Sequence, residues 1–131
     1  MVSAQQRKKI LVVDDDPLIC QILDKVLKAR GYDVIIALDG FKALEEMDKN
    51  FKNVVLAIVD LVLPSGITGW DILEKWKGTK DTAHIPVVVI TGVHISDKEI
   101  KRLSRNCEAI VRKQDFCVQT FGELMDDVLD V

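Results

Sequence analysis

The chain has 131 residues, 48% hydrophobic and 30% charged, with seven glycines and three prolines, a composition that fits one ordinary globular domain and excludes disordered and fibrous classes. Its formal net charge of −3 supplies no basic field for gripping phosphate backbones, so direct nucleic-acid binding is not expected. Met1 to Lys9 lacks the apolar stretch of a signal peptide, and the greasiest region, Val54 to Trp70, is broken by Asp60, Pro64, Ser65, Gly66 and Gly69; neither secretion nor a membrane span is expected.

Residues 1–8 read as an N-terminal tail and residues 9–131 as one domain in which strand and helix patterns alternate throughout. Ile10 to Val13 is an apolar run stopped by Asp14, Asp15 and Asp16. Pro17 opens a helix with Asp16 as its N-cap, and Leu18, Ile19, Ile22, Leu23, Val26 and Leu27 recur at helical spacing up to Gly31. Val34 to Ala37 is the second strand, and Asp39-Gly40 leads into a helix carrying Phe41, Leu44 and Met47 on one face. Val54 to Val59, six apolar residues ending at Asp60, is typical of a strand covered on both faces.

Ile72, Leu73 and Trp76 mark the third helix, Ile85 to Thr91 the fourth strand, and Ser96 with Glu99 a capping box. That fourth helix points Ile100 and Leu103 inward and Lys98, Lys101, Arg102 and Arg105 outward. Ala109 to Val111 is the fifth strand, and Val118, Phe121, Leu124, Met125, Val128 and Leu129 make the apolar side of the last, amphipathic helix. The class is α/β, a (βα)5 domain with a parallel sheet.

In such sheets functional groups gather at the carboxyl ends of the strands. Here those ends carry Asp14 and Asp15, Asp60, Thr91 followed by Gly92, and Lys113. Clustered carboxylates repel one another, and a hard divalent cation with oxygen ligands, Mg²⁺ in an open site, is the usual remedy. A neutralised carboxylate can attack phosphorus while Lys and Thr hold phosphoryl oxygens, so the set reads as a phosphoryl-accepting site. His84 and His94 lack partner ligands, and Cys20, Cys107 and Cys117 show no CxxC spacing; the cysteines read as reduced thiols of a cytoplasmic protein.

The segments KILVVDDDP (Lys9 to Pro17), AIVDLVLPSGITGW (Ala57 to Trp70), IPVVVITG (Ile85 to Gly92) and the Lys113 position, in that order, resemble the receiver domain of two-component response regulators over about Lys9 to Leu129. The resemblance implies a flavodoxin-like three-layer sandwich around a central five-stranded parallel sheet. It implies that Asp60 is the phosphoacceptor, that Asp14 and Asp15 are the acidic pair, and that Asp15, Asp60 and the Val62 carbonyl bind Mg²⁺ with Asp14 beside them. Thr91 and Lys113 would sense and hold the phosphoryl group. The donor would be the phosphohistidine of a histidine kinase or phosphotransfer domain. A downstream effector would dock on the surface from Ser96 to Leu129. Such a protein is a cytoplasmic signalling element, not an enzyme beyond its own phosphotransfer and dephosphorylation.

Against the family pattern, Gly69 stands nine residues after Asp60 where eight is usual, which implies an inserted residue near Ser65 to Thr68. Gln114 replaces the proline that usually follows the lysine, so the Lys113–Gln114 peptide is expected trans or as a strained cis bond. Ile110 replaces the aromatic switch residue. The stretch from Ile85 to Leu124 looks more like receivers of hybrid histidine kinases. Val62 and Val93, two residues after Asp60 and Thr91, flank the approach of hydrolytic water in the family, and neither side chain can orient one. A second reading, a haloacid dehalogenase-type aspartate-nucleophile phosphatase using Asp14 and Asp16, leaves Asp60 without a role.

Overall fold

A computed structural model describes residues 7–129; of the expected tail, residues 1–6 lie outside the described residues. Five strands and five helices alternate: β1 (Lys9–Val13), α1 (Pro17–Lys28), β2 (Asp33–Ala37), α2 (Gly40–Asn50), β3 (Val54–Asp60), α3 (Gly69–Lys77), β4 (Val87–Thr91), α4 (Asp97–Ser104), β5 (Ala109–Arg112) and α5 (Val118–Val128). A short 3-10 turn, Lys113–Asp115, follows β5. All strand pairings are parallel, in the order β2-β1-β3-β4-β5.

The unbroken apolar runs of β1, β3 and β4 follow from a sheet covered on both faces. Leu11, Val13, Ala57, Val59, Val87 and Val89 face a core shared with Ala43 and Met47 of α2, Ile72, Leu73 and Trp76 of α3 and Leu103 of α4. The alternating residues Ile10, Val12, Leu56, Ile58, Val88 and Ile90 face the opposite core, with Leu23 and Leu27 of α1 and Phe121 and Met125 of α5. A one-residue slip in any of these strands would exchange its two faces.

Helix starts follow the cap chemistry. Asp16 accepts the Leu18 N–H and Asp39 the Lys42 N–H, while Thr68 with Asp71 and Ser96 with Glu99 form capping boxes. Gly31, at φ +90°, closes the turn after α1 in the left-handed conformation that favours glycine. Gly122 of α5 leaves space for the Arg30 guanidinium, whose Nε lies 2.9 Å from Asp126 and ties the end of α1 to α5.

Three sequence expectations need correction. Phe41 is 59% exposed; Gly40, Ala43 and Met47 form the inner face of α2. Val118, the first residue of α5, is also exposed. Strand β4 begins at Val87, not Ile85. Pro86 has no N–H to donate, although its carbonyl still accepts the Ala57 N–H at 3.0 Å.

Candidate phosphoryl-transfer site

The chain reverses direction across the sheet between β1 and β3, and a crevice opens there at the strands' carboxyl ends. Asp14 leaves β1 on one side of it, and Asp60 is the last residue of β3 on the other. Each is held by its own local turn. Asp14 Oδ1 accepts the Asp16 N–H at 2.9 Å, and Asp60 Oδ1 accepts the Val62 N–H at 3.2 Å. These side-chain-to-backbone bonds fix both carboxylates without using their second oxygens.

Lys113 enters from the end of β5 and closes the crevice. Its Nζ lies 2.9 Å from Asp60 Oδ2 and 3.0 Å from Asp14 Oδ1. Asp14 Oδ2 is also 3.0 Å from the ammonium, but accepts no aligned hydrogen bond and is buried. Burial raises the Asp14 carboxyl above its ordinary value, outweighing the Asp16 and Lys113 hydrogen bonds that lower it. Burial also opposes charge on Lys113, yet its bonds to Asp60 and Asp14 win and hold the ammonium's pKa above the ordinary value. The Cys20 thiol, donating to the Asp14 carbonyl at 3.3 Å, is pushed up to about 11 by burial and by Asp14.

Asp15, exposed, completes the acidic group: Asp14, Asp15 and Asp60 each offer a carboxylate oxygen within 4.8 Å of the others. An all-oxygen donor set with one buried acceptor that lacks an aligned hydrogen bond fits a hard divalent cation and not a soft one. The depression above it, about 390 Å³, is lined by Asp15, Asp60, Val62, Val93, Gly92 and Lys113, among others. Asp14 and Thr91, both fully buried, lie beneath its wall. Thr91 Oγ1 accepts the Val93 N–H at 3.2 Å. Val62 and Val93 stand at the mouth, 55% and 45% exposed.

In the loop after Asp60, Ser65 and Gly66 take φ +73° and +92°. Gly69 then returns the chain, its N–H donating to the Leu61 carbonyl at 2.9 Å. A Cβ at Gly69 would collide with the Asp60 carbonyl and Leu61 Cα, so this glycine sets the close approach of α3 to the acceptor turn. Every described peptide bond, including Lys113–Gln114, is trans. The sequence did not single out the stacking of Arg102 on Trp70, 4.8 Å from the ring centroid; no periodicity signals a contact between two helices.

The phosphatase reading fails on this geometry. Asp16 is engaged as the α1 cap, and Asp14, its supposed nucleophile, is buried behind Lys113. A crevice of carboxylates at the switch point of a 2-1-3-4-5 parallel sheet, closed by a lysine that directly follows its last strand, defines a flavodoxin-like receiver fold. The chain belongs to the response regulator receiver domain family, whose pattern its residues 10–118 match.

It is 32% identical over 116 residues to the response regulator PleD of Caulobacter vibrioides, covering 88% of this chain and 25% of that protein. The chain thus spans about a quarter of that relative's length. The CheY-like receiver domain protein of Methanospirillum hungatei superposes with a TM-score of 0.81 at 27% identity, covering 95% of this chain and 94% of that one. The Mn²⁺-bound form of response regulator Rcp1 superposes at 0.76 and 25% identity, over 92% of each chain. Among the described residues no helix is long and apolar enough to cross a membrane.

Proposed function

We propose that Asp60 accepts a phosphoryl group from a phosphohistidine. The observation that carries this is the state of its carboxylate: one oxygen fixed by the Val62 N–H, the other held by Lys113, on the floor of an open depression. A carboxylate so held presents an oxygen to an incoming phosphorus without searching rotamers. Attack by that oxygen forms the aspartyl O–P bond, the P–N bond breaks, and the departing imidazole keeps the electron pair and takes a proton. Lys113 is positioned to follow the negative charge from the carboxylate to the phosphoryl oxygens as a point charge. The Thr91 oxygen already accepts from Val93, which leaves its hydroxyl proton for a phosphoryl oxygen once the Gly92–Val93 segment yields.

Asp14, Asp15, Asp60 and the Val62 carbonyl would hold Mg²⁺; that the similar regulator Rcp1 has a Mn²⁺-bound form supports a divalent cation in this fold, and the cation would supply neutralisation of the clustered carboxylates and of the phosphoryl charge. The donor is a histidine kinase or phosphotransfer domain. Leu18, Leu38, Phe41, Val62, Val93 and Val118, six of the exposed large hydrophobics, all sit on the loops and first helical turns of this rim, where a protein donor would cover them. Output would leave through the surface from Ser96 to Leu129, since Thr91 and Lys113 connect directly to it. The compartment is the cytoplasm, which keeps three free cysteines reduced.

The test is intact mass after incubation with acetyl phosphate, with and without Mg²⁺. One phosphoryl group should appear with Mg²⁺ only, and none on Asp60→Asn. Millimolar Mg²⁺ should also raise the melting temperature, less so for Asp15→Asn. Label mapped to Asp14, or uptake indifferent to the metal, would overturn the reading.

A further inference from the structure

Lys98, Lys101, Arg102 and Arg105 stand at i, i+3, i+4 and i+7 along α4, one stripe of the helix, and all are exposed. Among the described residues none of them pairs with a carboxylate. Of the two acids in the first turn of α4, Asp97 and Glu99, neither forms an ion pair with the stripe among the described residues, and Glu99 is engaged with Ser96, accepting from its N–H at 3.1 Å and its hydroxyl at 3.0 Å. Three exposed lysines of α1 and α2 pair within their helices, Lys28 with Asp24, Lys42 with Glu45 and Glu46, and Lys49 with Glu45; Lys25 and Lys75, exposed and without such a pair among the described residues, are single charges on their helices, whereas α4 sets four along one face. The helix dipole rewards cations in the last turn of α4, but Lys98 lies in the first, where the dipole opposes it. Capping and dipole therefore do not account for the stripe.

Beside the stripe runs a cleft between α3 and α4, about 190 Å³, lined by Trp70, Leu73, Glu74, Arg102, Leu103 and Asn106. Leu73 and Leu103 are its buried floor, and Trp70, half-buried, is its wall. Arg102 belongs to both features, its guanidinium laid over Trp70. A hollow of roughly 150 Å³ already accepts a benzene ring, so this one has room for a single apolar side chain.

We propose that the α3–α4 face is a docking surface for an acidic segment of a partner protein, with carboxylates opposite the basic stripe and one apolar side chain in the cleft beside Trp70. The stripe is about 10 Å long at 1.5 Å per residue, the reach of two helical turns. A short acidic helix ends where the stripe ends. A nucleic acid or an anionic membrane extends beyond it and meets the remainder of a chain that is acidic overall. Charge-assisted contacts set orientation and association rate, and the apolar anchor supplies the desolvated centre that such rims surround. The inference goes beyond phosphoryl acceptance at Asp60 and does not require it.

The experiment titrates the isotope-labelled chain, as wild type and as Asp60→Asn, with a synthetic helical peptide carrying Glu at i, i+3, i+4 and i+7 and one Leu. A short DNA duplex and phosphatidylserine vesicles are run in parallel. Amide shifts are expected at Trp70, Leu73, Arg102 and Leu103 in both proteins, weakening with salt. Lys98→Glu with Lys101→Glu, both at exposed positions, should weaken the affinity about tenfold or more with an unchanged melting curve. Shifts confined to other surfaces, an affinity indifferent to charge reversal, or tighter binding of the duplex or the vesicles would each overturn the proposal. If Asp60→Asn binds the peptide but takes up no phosphoryl group, the two readings stand separately.

Discussion

Lys113 and Lys42 each bridge two carboxylates at similar distances, 2.9 to 3.0 Å to Asp14 and Asp60 for one and 3.1 to 3.4 Å to Glu46 and Glu45 for the other. Their surroundings differ. The Lys113 side chain is 20% exposed and its partners 0% and 6%, whereas Lys42 is 48% exposed. On α2, water competes for every charge and salt screens what remains, so the pairs contribute little. In the crevice the carboxylates have lost their water, and the one ammonium is their replacement solvent. Equal geometry therefore carries unequal consequence. The two carboxylates already outnumber the one ammonium, and Asp15 at the edge of the crevice adds a third. That surplus is what the proposed cation would neutralise.

The largest expected effect is on removal of the bridging lysine. Lys113→Met strands two buried carboxylates and should cost about 3 kcal/mol or more in urea unfolding without divalent metal. Adding Asp14→Asn should restore part of that loss, because the two substitutions share one interaction. A Lys113→Met protein as stable as wild type would erase the distinction between the two lysines.

The next effect is kinetic and concerns the apolar lips of the same crevice. Val62 and Val93 cannot orient water, so phospho-Asp60 should decay slowly after the donor is removed. Asn at 62 with Glu at 93 should speed the decay, by up to ~10²-fold if full positioning is regained. Decay unchanged by the double substitution would show that water reaches the acyl phosphate by another path.

A smaller effect follows from the raised Asp14 carboxyl. A carboxyl whose pKa is higher folded than unfolded favours the folded state below its unfolded pKa and loses that contribution as pH rises through the folded value. In metal-free buffer the stability of Asp14→Asn relative to wild type should therefore grow as pH rises from about 4. A flat difference between pH titrations of the two unfolding curves would contradict a buried carboxylate there. Smallest of all, Lys42→Ala should leave the unfolding midpoint unmoved and insensitive to salt; a clear loss would mean that the α2 pairs matter as much as the crevice.

Much of this was legible in the linear order of residues. The apolar runs of β3 and β4 announce strands covered on both sides, and Asp14, Asp15, Asp60, Thr91 and Lys113 each fall at a strand end because the chemistry of a parallel sheet gathers there. Asp16 and Ser96 declared themselves as caps, since a cap is a local hydrogen bond. Phe41 was misplaced because an apolar residue at the start of a helix satisfies the helical period whether or not a neighbour reaches it. Thr68 with Asp71 was a capping box overlooked inside a loop dominated by Pro64, Ser65 and Gly66.

The sequence by itself determined the alternation of elements, the two-faced core and the identity of the charged residues at the strand ends, because these depend on periodicity and on residue type within a few positions. Only the tertiary structure decided how those charges divide their roles. Asp14 and Asp60 lie far apart in the chain, and nothing local tells which is buried beneath Lys113 and which faces the open depression. That depends on strand order, since β1 and β3 become neighbours only when the sheet is assembled. The same holds for Arg102 over Trp70, where two helices on one face of the sheet bring a cation and a ring together. Solvent exclusion is a property of the assembled surface, and it sets both the pKa of Asp14 and the consequence of every charge in the crevice.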